Sequence, residues 1–184
     1  MEYMLLELQG KVTINGETTL KGFPNCIEVL SYSHGLAQHV LSTTSHTGRT
    51  VGRPDIQDMT ISKTMDATSP LLNYNCAKAA DLGTIKLHLV RQDATGEEGD
   101  TGPAFAYMVY EMEKTIISSV SVGGGGGGQP VETLTLNFSK ITWTYKPQKA
   151  ALGENGNIVG SWDQTTNTGS GEGEFTAESD EAAA

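Results

Sequence analysis

VETLTLNFSKITWTYK, residues Val131–Lys146, carries the longest two-residue hydrophobic period in the chain. Its β-branched and aromatic side chains predict a strand. The period changes phase inside the stretch, because one apolar set falls on one face and a second set on the other: Leu134, Leu136 and Phe138, then Ile141, Trp143 and Tyr145. Since side chains alternate along a strand, either a bulge lies near Ser139–Lys140, or the two ends are covered on different faces by this domain or by neighbouring subunits.

The length and the composition predict a single, mainly β domain. A chain of 184 residues is long enough to bury one substantial core. Only 18% of the residues are charged and 22 are glycine, a balance that favours many short strands and turns over helices.

The negative charge is concentrated at the end of the chain. Residues 169–184 hold five of the 22 acidic residues and none of the 12 basic ones. This segment of Gly, Glu, Ser and Ala is predicted to be a disordered tail, because it cannot bury enough surface to offset the entropy of ordering. We therefore predict a folded domain over 1–168 and a tail over 169–184. The lack of a basic stripe argues against a nucleic-acid partner.

The sequence predicts neither a membrane span nor a signal peptide. No apolar run approaches the length of a spanning helix. The first residues, MEYMLLELQGK, contain Glu2 and Glu7 within the apolar run and predict a strand over Tyr3–Gln9. We therefore expect a cytoplasmic protein whose export, if any, bypasses the usual exporter. Cys26 and Cys76 are predicted to be reduced thiols.

Further elements follow from local signals. Asn15-Gly16 predicts a tight hairpin turn, and Cys26–His34 predicts a strand. Pro70 after a capping Ser69, with Gly83 at the exit, predicts the one helix, with a buried stripe of Leu72, Cys76, Ala79 and Ala80.

Thr84–Gln92 alternates so that His88 is expected to face solvent or a neighbouring subunit. Leu36–Pro54 is polar and aperiodic, which predicts either disorder or a reaching loop.

No residue pattern rises to a catalytic, cofactor or metal site. Gly123–Gly128 precedes a strand rather than a helix, so it predicts a flexible hairpin connection and not a phosphate loop. His34, His39 and His46 are spaced too loosely for a typical zinc site. Ser33, His34 and Asp66 could form a triad, but no nucleophile elbow accompanies them. We therefore expect a protein that is not an enzyme and has no cofactor.

Four stretches, in order, resemble the haemolysin-coregulated protein (Hcp) family, the inner-tube subunits of type VI secretion. They are IEVLSYSHG (Ile27–Gly35), VGRPDIQDMTISKTMDATSPLL (Val51–Leu72), SSVSVGGGGG (Ser118–Gly127) and VETLTLNFSKITWTYKPQKA (Val131–Ala150). The sequence departs from the family at His34, which stands at an aromatic position, in its own loop at Leu36–Pro54, and in the tail from Gly169.

The resemblance implies a closed antiparallel β-barrel or two-sheet barrel with one flanking helix and a long extended loop. It implies rings of six copies that stack into a tube, contact contractile sheath and spike proteins, and carry secreted effectors without inserting into a membrane. It also implies that the protein, once made in the cytoplasm, is secreted through the type VI apparatus without a signal peptide. Ser31 and Ser33 are expected to face the lumen while Leu30 and Tyr32 pack inside. The loop residues expected to contact other subunits are Thr43, Thr44, Ser45, His46, Arg49 and Arg53. The alternative is a small-molecule or enzyme barrel that shares the fold without assembling.

Overall fold

The computed structural model describes residues 2–41, 50–92, 104–147 and 157–172. Within these ranges the chain forms one helix, α1 (Ser69–Ala77), and sixteen strands. The strands are β1 (Glu2–Gln9), β2 (Thr13–Ile14), β3 (Ile27–Glu28), β4 (Ser31–Ser33), β5 (Leu36–Ala37), β6 (Val40–Leu41), β7 (Thr50–Val51), β8 (Asp55–Ile56), β9 (Met59–Thr64), β10 (Ile85–Gln92), β11 (Ala104–Glu113), β12 (Ile116–Gly123), β13 (Val131–Asn137), β14 (Lys140–Tyr145), β15 (Ile158–Asp163) and β16 (Thr168–Glu172).

Two antiparallel sheets form the body of the protein. An eight-stranded sheet has the order β16-β15-β14-β11-β10-β1-β2, with β3 also pairing with β1, and a four-stranded sheet has the order β12-β13-β9-β4. Two short pairs, β5 with β8 and β6 with β7, stand apart from both sheets. The mainly β prediction with one helix is confirmed, in its two-sheet form.

The stretch Val131–Lys146 is divided between the two sheets. β13 lies in the four-stranded sheet and β14 in the eight-stranded sheet, so the chain turns a corner at Phe138–Ser139. At the corner the Ser139 N–H donates to the Glu113 carbonyl at 3.0 Å. The phase change marks this corner. It lies where a bulge was predicted, but the chain changes sheets there. The first apolar set, Ile141 and Trp143 therefore reach the same interior, whereas Tyr145 is 42% exposed.

The main core lies between the sheets. It includes Ile61, Leu134 and Leu136 from the four-stranded sheet and Leu87 and Ile141 from the eight-stranded sheet, all at most 1% exposed. Burial of this many apolar side chains is the main source of stability.

β1 is buried on both faces. Leu6 and Leu8 enter the main core, whereas Leu5 joins a smaller cluster on the opposite side of the sheet. Phe23 packs against this cluster, which explains why the predicted strand at the N-terminus is nearly continuous in apolar residues.

The helix begins at Ser69, the residue predicted to be its cap, and it ends earlier than predicted. Pro70 lies in its first turn, and the residue at the N-cap is Thr68. The helix ends at Ala77, so Gly83 (φ +80°) lies in the following connection and not at the helix exit. Leu72 is buried, and Cys76 and Ala80 pack on the core. Ala79, predicted to be in the buried stripe, is exposed.

The hairpin predicted at Asn15-Gly16 is wrong. β1 and β2 are joined further upstream, through Gly10–Val12. Gly16 instead lies against the Cys26 backbone, where an added Cβ would come within 2.1 Å of the Cys26 carbonyl oxygen. The glycine serves this close approach between chain segments and not a type I′ turn.

The boundary predicted at residue 169 falls inside a strand. Residues 168–172 form β16 and pair with β15, in a register that joins Gly169 to Trp162. The prediction of disorder is therefore wrong for residues 169–172, and residues 173–184 lie outside the described ranges.

Cys26 and Cys76 are free, as predicted. Among the described residues, no helix is long and apolar enough to cross a bilayer.

Candidate functional site: a hydroxyl-covered sheet face

The outer face of the four-stranded sheet carries Ser and Thr side chains, whereas a protein surface usually mixes charged, polar and apolar side chains. Alternation along β9 and β13 sends Met59, Ile61, Leu134 and Leu136 into the core. The residues between them face outward, and they are almost all Ser or Thr. This face lies directly behind the main core, which fixes its shape.

Two rows of hydroxyl residues cross all four strands. The register aligns the first row as Ser33, Thr60, Thr135 and Ser119, and the second as Ser31, Ser62, Thr133 and Ser121. Every one of these eight residues is exposed or half-buried. We name this set the hydroxyl plate.

The plate is partly self-paired. The hydroxyl oxygens of Ser31 and Ser62 lie 2.6 Å apart, and Ser119 donates to the Thr135 hydroxyl at 2.9 Å. A hydroxyl offers one donor and two acceptor sites, so these pairs leave further capacity for solvent or for a passing polar chain. No residue of the two rows is charged or apolar, so the plate presents a wettable surface of nearly uniform chemistry.

The structure puts both serines expected at the lumen on the plate. Ser31 and Ser33 are exposed on β4, and Tyr32 between them packs on the main core with its ring 5.6 Å from that of Tyr110. The prediction that Leu30 packs inside is wrong, since its side chain is 53% exposed.

A change of sheet explains the exposure of Leu30. The Val29 N–H bonds to the Met4 carbonyl in the eight-stranded sheet, whereas the Leu30 N–H bonds to the Ser62 carbonyl in the four-stranded sheet. The predicted strand Cys26–His34 is therefore two strands, and Val29 is buried in place of Leu30.

Sequence reasoning missed the other six plate residues: Thr60, Ser62, Ser119, Ser121, Thr133 and Thr135. Each strand shows the signal locally as Ser or Thr at alternate positions. Only the pairing of β12, β13, β9 and β4 brings these short signals together, and that pairing is not local in sequence.

A buried polar network lies behind the plate and fixes α1 to the sheet. The Lys63 ammonium donates to Glu132 at 3.1 Å and contacts Asp66 at 2.8 Å, and the Ser69 hydroxyl donates to Glu132 at 2.7 Å. Lys63 and Glu132 are at most 1% exposed. Burial acts to raise the pKa of Asp66, but hydrogen bonds from Lys63 and Thr68 outweigh it and hold that pKa below its usual 3.8.

The part of the predicted reaching loop that the structure describes forms short paired strands. The register pairs Leu36 with Ile56 and Val40 with Val51, so β5–β8 form one antiparallel ribbon, which we call the arm. Leu36 and Val40 are more than half exposed. Arg53 donates to the backbone carbonyl of Gln164 within the same chain.

The remaining loop residues lie outside the described ranges. These are Thr43, Thr44, Ser45, His46 and Arg49.

His34 joins the two ends of the arm. Its Nδ1 lies 3.1 Å from the Gln57 carbonyl oxygen, and the Gln57 N–H donates to the Gly35 carbonyl at 2.9 Å. The ring packs near Phe138 and Trp143, and burial lowers the pKa of His34. Nε2 is buried without a hydrogen-bond partner.

His88 is buried within the subunit, so the prediction that it faces solvent is wrong. It is 9% exposed, its ring packs on Phe23, and its Nε2 lies 2.7 Å from the Glu7 carboxylate. Burial lowers the pKa of His88, and the hydrogen bond to Glu7 opposes that shift. The prediction failed because the segment containing Phe23 covers this face of the sheet.

Candidate sites for small-molecule chemistry are weak. Within the described ranges no three His, Cys, Asp or Glu side chains are placed to hold a metal ion. A groove of about 500 Å³ on the eight-stranded sheet includes Phe23, Val109 and Lys146. Its Lys86 is already paired with Glu111 at 3.0 Å. The groove is also lined by His88, which is paired with Glu7.

The fold is therefore two sheets around a main core, with a flanking helix and a polar outer face on the four-stranded sheet. The family model described as "Type VI secretion system effector, Hcp" matches residues 5–145. The chain belongs to this family of type VI secretion proteins.

Individual relatives agree with this assignment. Protein hcp1 of Pseudomonas aeruginosa is 31% identical over 106 residues, which are 57% of this chain and 61% of that protein. The match thus spans less than two thirds of the length of that relative.

Solved structures share the fold. One described as the structure of a type six secretion system protein has a TM-score of 0.76 at 24% identity, covering 92% of this chain and all of the other. Hcp1 from Salmonella typhimurium has a TM-score of 0.67 at 23% identity, covering 91% of this chain and 98% of its own.

Proposed function

We propose that this protein is a tube subunit of a type VI secretion apparatus. Six copies close into a ring, rings stack into a tube inside a contractile sheath beneath a spike, and secreted effector proteins travel in the lumen. The protein acts as a wall and a carrier, without catalysis. The observation that carries this proposal is the hydroxyl plate.

The chemistry of the plate suits a water-filled channel better than other uses of a surface. A packed protein interface has an apolar and aromatic centre, which the plate lacks. A nucleic-acid surface needs Lys and Arg, which are also absent from its two rows. A lumen wall must stay hydrated and must not hold a passing chain too strongly, and eight hydroxyls provide such a wall.

The arm supplies the opposite kind of surface. Leu36 and Val40 expose apolar side chains on a ribbon that pairs only with itself in its described part. Exposed apolar groups of this kind favour a protein contact. We assign the arm to the contact between neighbouring subunits or rings.

Native mass spectrometry and negative-stain microscopy test ring formation. We expect a closed ring of six copies. A monomer or dimer at micromolar concentration would overturn the tube function and leave the binding or enzyme alternative.

Cysteine labelling tests the orientation of the plate. In a Cys76→Ser background, Ser33→Cys introduces a thiol on the plate and Thr19→Cys an exposed thiol away from it. Cys26 should stay unreactive, because burial and the nearby Glu7 raise the pKa of its thiol to about 11.

In stacked tubes, a small maleimide should label both introduced cysteines, and a bulky polyethylene-glycol maleimide should label Thr19→Cys much faster than Ser33→Cys. Equal rates with the bulky reagent would show that the plate faces outward.

A further inference from the structure

The hydroxyl plate has different chemistry at its two ends. Beyond the row that contains Thr60, the same face carries Asp58 and Asn137. Beyond the row that contains Ser62, it carries Thr64 paired with the exposed Val131. The plate therefore has one acidic end and one more apolar end.

The Asp58 carboxylate is held in place by neutral donors. Ser118 donates to its Oδ2 at 2.9 Å, and the Asn137 amide donates to its Oδ1 at 2.7 Å. A carboxylate has about four acceptor sites, so roughly two remain open. Neither donor neutralises the charge.

No cationic side chain compensates Asp58 within the ranges that the structure describes. The ion pairs of these ranges involve other carboxylates. The nearest lysine on the same strands, Lys63, points to the opposite face and is committed to Glu132 and Asp66. Asp58 is thus a fixed negative charge on an otherwise uncharged face.

We infer that the plate selects its cargo by charge, with Asp58 binding Lys or Arg side chains on the surface of the carried protein. This inference rests on the proposed tube function, because closure of the ring would place six such carboxylates around one level of the lumen. Rings of like charge select ions and chains of opposite sign, and their field adds across the ring. Cationic segments should be retained, and strongly anionic ones should be repelled.

The experiment uses rings of the full chain, verified by native mass spectrometry, and two labelled peptides of equal length, one rich in lysine and one rich in glutamate. Fluorescence anisotropy at low salt should show tighter binding of the lysine peptide, weakening as salt is added. Asp58→Asn should weaken that binding by about threefold or more, since each exposed pair is modest but six act together. Glu17→Gln removes the same charge from an exposed site off the plate and should leave the affinity unchanged.

A second variant keeps the inference testable if Asp58→Asn does not fold. Thr60→Lys keeps Asp58 and adds a neighbouring cation on the same face, so it should also abolish the preference for the lysine peptide. Intact rings in which Asp58→Asn binds both peptides like the wild type would overturn the inference. Equal losses in Asp58→Asn and Glu17→Gln would also overturn it, since only net charge would then matter. Failure to form rings would instead overturn the tube function itself.

Discussion

Lys63 and Glu132 are register partners on β9 and β13, and their side chains form an ion pair of 3.1 Å that solvent does not reach. Their position between the sheet and the start of α1 makes the pair a support for the sheet face that carries the plate. Glu132 accepts a second hydrogen bond from Ser69, and its other oxygen, Oε1, has no partner. Two buried charges persist here because each compensates the other.

Removing one partner of this pair should be strongly destabilising. Lys63→Met leaves the Glu132 and Asp66 carboxylates without their cation, so we expect a loss of about 3–5 kcal/mol in the free energy of unfolding. Lys86→Met breaks a pair whose side chains are 41% and 35% exposed, and should cost at most about 1 kcal/mol. Urea unfolding at one protein concentration measures both. A loss below 1 kcal/mol for Lys63→Met would contradict the assigned role.

Neighbouring residues on opposite faces of β13 should respond differently to substitution. Leu134→Ala opens a cavity in the main core and should cost about 2–5 kcal/mol. Thr133→Ala changes a half-buried plate residue and should stay within about 0.5 kcal/mol. The pair is matched because both changes fall on the same strand. Similar losses for both would show that the plate is covered in the folded subunit.

Lowering the pH should destabilise the fold at the ends of the arm, where His34 lies against Gln57. Burial lowers the pKa of His34 below its ordinary 6.5, so the folded state binds the proton less readily than the unfolded chain. The stabilising contribution is therefore complete above about pH 6.5 and is lost as the pH falls from there through the folded pKa. His34→Gln should flatten the dependence of unfolding free energy on pH in this window. Burial lowers the pKa of His88 as well, so part of the slope should remain in His34→Gln. His39→Gln, at an exposed histidine, is the control variant, and a slope as steep in His34→Gln as in the wild type would refute the assignment.

The parts of the fold that the sequence predicts are those that depend on neighbours along the chain. The alternation in Val131–Lys146 and Ile85–Gln92 is local and gave strands, and Pro70 gave the start of the helix. The corners at Val29–Leu30 and Phe138–Ser139 depend on which sheet each segment joins, so Leu30 was placed on the wrong face. Of the eight plate residues, the sequence predicts only Ser31 and Ser33 as a shared surface, because the other six join them through the pairing of distant strands. His88 was misplaced for a similar reason, since Phe23 covers it from another segment.

Shortening the arm should separate ring closure from stacking. Deletion of Thr43–Gly52 removes β7 with the residues before it and retains the contacts of His34 and Gly35 with Gln57. We expect hexamers to form and stacking into tubes to be lost. Negative-stain microscopy distinguishes single rings from tubes. Normal tubes from the shortened protein would exclude the arm from the contact between rings.

The last strand should mark the true limit of the folded domain. Truncation after Glu172 removes only residues outside the described ranges, which carry acidic residues and Phe175, and it should leave the melting temperature and the ring unchanged.

Truncation after Thr168 also removes most of β16. It uncovers the edge of β15 and the Trp162 ring, on which Gly169 packs so closely that an added Cβ would lie 2.5 Å from a ring carbon. We therefore expect a lower melting temperature for this shorter chain, and a greater tendency to aggregate through the exposed edge. Differential scanning fluorimetry and light scattering on the two truncations decide the matter. A large loss of stability after Glu172 would mean that residues 173–184 dock on the folded domain, and equal stability of both chains would mean that β16 contributes nothing to the sheet.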